Sequence, residues 1–236
     1  MSLNGKYFLG ILLTLVLFAG VIFYTSSFLN LIFGTNVDAT AKLFYSLVIQ
    51  WVVLFLIYLY CIIIEKKSIL LWKEKKYSIL FYLGAIVSLY FICLLGGAIL
   101  NGIIYLLTHE KPSSKLIEFK SALNSNYLLI IFICLTASIA EELLMRGYIQ
   151  PRIEKMYNSP FLSVAISSIL FGLLHINYGT IGQIIGPIFI GVVFALFYKR
   201  YSNIKILIIC HFMFDFVSIM VLNFIDYKHL SAFLKL

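Results

Sequence analysis

Apolar residues run along this chain in long blocks, and polar residues gather in the short gaps between them. Seven blocks stand out: 7–33, 43–64, 78–107, 127–149, 160–175, 181–199 and 204–225. All but the fifth reach the ~17–25 residues that a helix needs to cross a bilayer. The third carries Gly96-Gly97, where a kink or a break is expected. A break would raise the count from seven to eight. The first block begins right after Lys6, lacks a small-residue cleavage site and outruns a signal-peptide core, so it reads as an uncleaved span. Between blocks two and three, residues 65–77 mix lysines with Ile69, Leu70, Leu71 and Trp72. This segment reads as a loop at an anionic leaflet or as a short surface helix.

Composition agrees with the pattern. Of 236 residues, 62% are hydrophobic and only 12% are charged. Soluble domains carry about 45–50% and about 25%. A soluble enzyme, a disordered chain and a disulfide-stapled secreted domain are therefore excluded. Residues 1–236 are expected to form a single transmembrane domain with the lipid bilayer as partner. The net charge of +8 reads as lysine-rich cytoplasmic loops rather than a nucleic-acid surface.

Orientation follows from where the cations fall. With the N-terminus in the cytoplasm, that side holds Lys6, Lys66, Lys67, Lys73, Lys75, Lys76, Arg146, Arg152, Lys155, Lys199, Arg200 and Lys205. The outer side holds Lys42, Lys111, Lys115, Lys120, Lys228 and Lys235. The bias favours a cytoplasmic N-terminus. Tyr7, Tyr24, Tyr77, Tyr127, Tyr157, Tyr198, Tyr201 and Tyr227 sit near span ends, as an aromatic belt would place them. Cys61, Cys93, Cys134 and Cys210 lie inside apolar runs without metal-ligand spacing and read as buried free thiols.

A few residues do not belong in hydrocarbon. The fourth block holds Glu141, Glu142 and Arg146; the fifth ends with Phe171 and His175; the seventh holds His211 and Asp215. Each charge at a span centre costs about 2.5–3.5 kcal/mol on the insertion scale. Carrying several implies a polar cavity inside the bundle. The fold expected is thus an all-α, polytopic bundle of about seven to eight transmembrane helices around a polar intramembrane cavity. Glu142 and Arg146 are four residues apart and share a helix face, a pair that locks the helix end. Glu141 points about 100° away, toward Ser138 and Cys134. Asp215 is four residues from His211 and is placed to orient its ring. Phe171, one turn before His175, is placed to wall the cavity. His109 and His229 lie in polar segments and receive no role.

Together these residues resemble the motif set of the CPBP family, the CAAX-protease and bacteriocin-processing (Abi) intramembrane proteases. The resemblance rests on Glu141-Glu142-x-x-x-Arg146, Phe171-x-x-x-His175 and His211-x-x-x-Asp215, with gaps of 34 and 36 residues between successive motifs. The motif core is 127–225. The resemblance implies hydrolysis of a peptide bond in a hydrophobic, membrane-associated or lipidated peptide or protein. It assigns catalysis to Glu141 as general base, His175 as its partner in activating water, and His211 and Asp215 at the oxyanion. Glu142, Arg146 and Phe171 support them. The last motif often ends in Asn, so Asp215 either donates to the oxyanion or orients His211.

No bound metal is expected. If zinc is bound, Glu141, His175 and His211 are the ligands, as two His and one carboxylate with an open position for water. Depth poses a difficulty, because Glu141 lies toward the cytoplasmic end of its block and His175 at the far end of the next. The short fifth block and the uncharged turn that follows would bring His175 inward. Alternatives in other classes are a non-catalytic scaffold or immunity protein, and a proton-coupled transporter. Low Arg and Pro with high Ile, Lys, Phe and Tyr point to an AT-rich bacterial genome. A bacterial cell membrane, with peptide maturation or bacteriocin self-immunity, is the expected setting, with no nucleic acid as partner. The oligomeric state is not readable.

Overall fold

The computed structural model describes residues 1–34, 38–110, 113–123 and 126–224. Lys111, Tyr227, Lys228, His229 and Lys235 lie outside the described residues. Those described form an all-α bundle. Its helices are α1 (Leu3–Phe33), α2 (Ala39–Glu65), α3 (Ile79–Thr108), a short α4 (Ser114–Leu123), α5 (Tyr127–Tyr157), α6 (Pro160–Leu173), α7 (Gly182–Tyr201) and α8 (Ile204–Phe224). A single 3-10 turn, Ile176–Tyr178, follows α6. Among the described residues, seven helices are long and apolar enough to cross a membrane, counting Pro160–Tyr178 as one.

The starts and stops have local causes. Side chains of Ser2, Asp38, Ser78, Asn126 and Ser159 accept from backbone N–H groups in the first turns of α1, α2, α3, α5 and α6. Pro160 then opens α6, where its missing N–H costs nothing. Lys66, His109, Asn158 and Ser202 end their helices in the left-handed region.

The bundle has two distinct ends. At one, Tyr60 donates to Lys6 O, Tyr77 donates to Tyr201 O, and Asn203 donates to Lys75 O. At the other, Thr40 donates to Ala122 O and Glu110 accepts from Ile181 N–H. Residues 66–78 are non-helical chain, so the loop reading holds and the surface helix does not form. Trp72 of this loop packs on Tyr198, and Glu74 accepts from Tyr198 and from Ile204 N–H at the start of α8.

Helix α5 is the pillar. Some 56% of its most apolar stretch is buried, against 17–33% for the other spans, whose outer faces are left to lipid. It feeds a core with α1, α2 and α6 around Phe18, Ile57, Met145 and Phe171, and another with α2 and α4 around Leu47, Leu123 and Ile130. A further core joins α3, α7 and α8 around Cys93, Phe194 and Cys210. Between α6 and α7 the backbones run close. A Cβ on Gly191 would stand 3.0 Å from the Ser168 Cα, and one on Gly172 would stand 2.9 Å from the Ile184 carbonyl oxygen. Small residues permit such approaches where lipid removes the hydrophobic drive between helices.

Several sequence expectations are corrected. Helix α3 runs unbroken past Gly96-Gly97. Gly96 instead makes room for the Phe189 ring, which a Cβ there would strike. Arg146 and Arg152 are fully buried rather than in a cytoplasmic loop. Tyr7 and Tyr198 are also fully buried rather than at the interface, whereas Tyr24, Tyr127 and Tyr157 are exposed. The four cysteines are buried and free.

Candidate active site

The fourth block ends by hydropathy at 149, but α5 continues to Tyr157. Glu141 therefore sits near the middle of its helix, not at its cytoplasmic end. The chain passes through a π-helical segment, Leu143–Ile149, just after the two glutamates. Such a wider turn is costly in isolation and recurs at functional sites. It places Arg146 inside the bundle.

Glu142 is the hub of the buried side. Its Oε1 accepts from Arg146 Nη1 at 2.9 Å and from His211 Nδ1 at 2.9 Å. Arg146 also donates to Gly191 O of α7, 3.4 Å away. Its guanidinium lies 4.2 Å from the centroid of the Phe171 ring, a cation–π contact. The pair thus spans α5, α6, α7 and α8 and does more than lock a helix end. A buried pair of this kind is costly to break, because the surviving charge is left uncompensated.

His211 is held on both sides. Its Nδ1 faces Glu142, and its Nε2 lies 3.3 Å from Asp215 Oδ2 and 4.0 Å from Glu141 Oε2. A ring that donates from both nitrogens satisfies both neighbours. His175 is held differently. Its Nδ1 stands 3.1 Å from Phe171 O, so the ring donates there and leaves Nε2 as an acceptor. Phe171 packs edge-on against both imidazoles, with centroids 5.3 Å from His175 and 5.8 Å from His211. The phenyl ring thus touches both histidines.

Glu141 differs from its neighbour. It accepts no hydrogen bond from any described residue, whereas Glu142 accepts two through Oε1; the buried Oε2 of each is left without a partner. His175, His211, Asp215 and Glu142 are the ionisable neighbours of Glu141. Ser138 does not serve it, since its hydroxyl donates to Leu135 O. Cys134 is fully buried in the core of α2, α4 and α5.

The turn after α6 is drawn toward the bundle, as its short span requires. Asn177 donates to Ile22 O of α1, well before that helix ends at Phe33. Lys115 donates to Asn177 O from the other side. Tyr178 stacks on His175 with ring centroids 5.8 Å apart and faces the charges of Glu141 and Asp215. It was not among the sequence candidates. Its position three residues after His175 in an uncharged turn was the available signal.

The residues named as zinc ligands do not converge. Both ring nitrogens of His211 face carboxylates, and Glu141 Oε2 stands 4.0 Å from Nε2. No group of three His, Cys, Asp or Glu among the described residues is disposed to hold a metal ion.

A second buried charge cluster was not foreseen. Arg152 pairs with Glu65 at the end of α2, both fully buried. It also donates to the carbonyls of Ser68, Ile69 and Tyr148, and stacks 3.8 Å from the Tyr148 ring centroid. Tyr148 donates to Glu65 Oε1 at 2.8 Å. This cluster is saturated with internal partners. It staples the loop after α2 to α5.

The chain has no match among curated proteins or solved structures. Residues 123–217, which supply every side chain of the central site, match the family described as Rce1-like, type II CAAX prenyl endopeptidase, a family that belongs to the CPBP (Abi) group.

Proposed function

We propose that the protein is an intramembrane endopeptidase that cleaves an apolar or lipid-bearing peptide with a water activated by Glu141 and His175. The observation that carries this reading is that Glu141, buried at Oε2, accepts no hydrogen bond from any described residue while standing beside a histidine whose other contacts are satisfied. A structural carboxylate would be expected to be tied down, as Glu65 is through both oxygens and Glu142 through Oε1.

Water is held between Glu141 Oε2 and His175 Nε2. Glu141 takes one of its protons as the water oxygen adds to the peptide carbonyl carbon. The developing oxyanion is met by the Nε2–H of His211, whose ring Glu142 and Asp215 hold in place. Collapse breaks the carbon–nitrogen bond, and the proton held by Glu141 passes to the departing amine. Asp215 acts as a positioning residue in this scheme. The family match supports CAAX-type proteolysis at the level of the family. The apolar bundle around the site favours a hydrophobic or lipidated substrate, and peptide maturation or bacteriocin self-immunity is the bacterial role we infer.

The test is cleavage of a quenched-fluorescent library of hydrophobic peptides by purified wild type and Glu141→Gln, with and without chelator. Cleavage by wild type, lost in the variant and unaffected by chelator, is the expected result. Chelator sensitivity restored by zinc would overturn the metal-free scheme. Equal activity of the variant would remove Glu141 from the chemistry.

A further inference from the structure

Exposure across the site runs in one direction. Side-chain exposure is 0% at Glu142, 7% at His211, 15% at Glu141 and 29% at Asp215. Asp215 lies one turn beyond His211 toward the C-terminal end of α8. Beyond it on the same side lies the turn with Ile176 and Tyr178, both exposed. On the opposite side the bundle is closed. Arg146, Gln150, Phe194, Tyr198 and Cys210 are all buried there, and Gln150 is tied to Ala195 O at 2.9 Å. The site therefore opens toward the end that holds Glu110, Lys115 and the start of α5.

That end is poor in cations. Among the described residues it carries Lys42, Lys115 and Lys120. The sealed end carries Lys66, Lys67, Lys73, Lys75 and Lys76 in one loop, and Lys199, Arg200 and Lys205 at the α7–α8 connection. Removing Arg146 and Arg152 from the loop tally, since both are buried, leaves this asymmetry intact. Cations of short loops mark the cytoplasmic side.

We propose that the site is entered from the extracytoplasmic face. Its substrate is then an apolar peptide segment that has been exported or is membrane-anchored, with its scissile bond presented from outside, rather than the tail of a cytosolic protein. The sidedness stands independently, and the substrate clause rests on the hydrolytic reading above.

Single-cysteine labelling tests the sidedness without turnover. The native thiols are buried, so the parent chain serves as the unlabelled control. In intact bacterial cells a membrane-impermeant maleimide is expected to label Ile176→Cys and Asp215→Cys, and to label Lys67→Cys only after permeabilisation. Labelling of Ile176→Cys only after permeabilisation overturns the orientation. Labelling of Ile176→Cys but not Asp215→Cys from outside overturns the opening. For the substrate clause, an apolar fluorogenic peptide with an impermeant polar dye is added to intact cells. Cleavage by wild type and not by Glu141→Gln is expected. Cleavage only after permeabilisation overturns the clause. Absence of cleavage in detergent as well overturns the hydrolytic reading and leaves the labelling result standing.

Discussion

His211 Nδ1 and Glu142 Oε1 meet at 2.9 Å across 69 residues of sequence, and the same carboxylate oxygen is held by Arg146. This junction divides the work of two adjacent glutamates. Glu142 is bound into the frame and fixes the ring of His211. Glu141, rotated about 100° around the helix, accepts no hydrogen bond from the described residues.

The two glutamates should therefore respond oppositely to the same mutation. Glu141→Gln breaks no hydrogen bond, so its melting temperature in detergent is expected to stay close to wild type while cleavage falls by about 10²–10⁴-fold. Glu142→Gln leaves Arg146 buried without its counter-charge and is expected to cost about 3–5 kcal/mol of stability. Thermal unfolding and peptide cleavage on the same preparations decide it. A strong loss of stability in Glu141→Gln would make that residue structural.

The Glu65–Arg152 cluster lies apart from the site and should affect folding rather than chemistry. Arg152→Met leaves Glu65 buried and alone, at a cost of about 3–5 kcal/mol. Adding Glu65→Leu should recover part of that loss, because the orphaned charge is gone, but not all of it. The carbonyls of Ser68 and Ile69 still lack their donor. A double variant less stable than the Arg152→Met single would contradict this account. Whatever folded protein remains should cleave peptide at the wild-type rate per molecule.

Much of this arrangement was legible beforehand, and the failures share a cause. Hydropathy found the seven spans because apolar side chains facing lipid dominate each of them. It also treated every charge as a boundary, so it stopped the fourth span short of Arg152 and assigned Glu65 to a loop. A charge neutralised by a partner 87 residues away looks the same in sequence as a solvated one. Spacing of i,i+4 revealed Glu142–Arg146 and His211–Asp215, since a helix fixes those neighbours. It was silent on Glu142–His211, which only the packing of α5 against α8 creates. Gly96-Gly97 misled for a related reason. A glycine that admits a neighbouring ring and a glycine that breaks a helix are the same letter.

Close packing of α6 on α7 positions His175, and this can be perturbed at a distance. A methyl on Gly172 would lie 2.9 Å from the Ile184 carbonyl oxygen and against Ile188. Backbone cannot yield as a side-chain tip does. Gly172→Ala is expected to cost about 1–3 kcal/mol and to reduce cleavage by more than that loss explains, because Phe171 and His175 move with the helix. Unfolding curves and initial rates below the melting range separate the two effects. Normal rates in the folded fraction would show that α6 tolerates the shift.

Asp215 presents the sharpest question of role. Its Oδ2 stands 3.3 Å from His211 Nε2, and 29% of its side chain is exposed. If its task is to hold the ring, an oxygen acceptor suffices and the charge is dispensable. Asp215→Asn keeps such an oxygen and is expected to retain cleavage within about tenfold, whereas Asp215→Leu removes it and should lose about 10²–10³-fold, in the range of a lost oxyanion donor. The loss should fall on kcat rather than KM, since the residue contacts His211 and not the substrate's remote parts. Steady-state kinetics of the two variants on one cleavable peptide make the comparison. An Asn variant as inactive as the Leu variant would mean that the carboxylate itself takes part, by charge or by proton transfer, and would move Asp215 from positioning residue to catalytic residue.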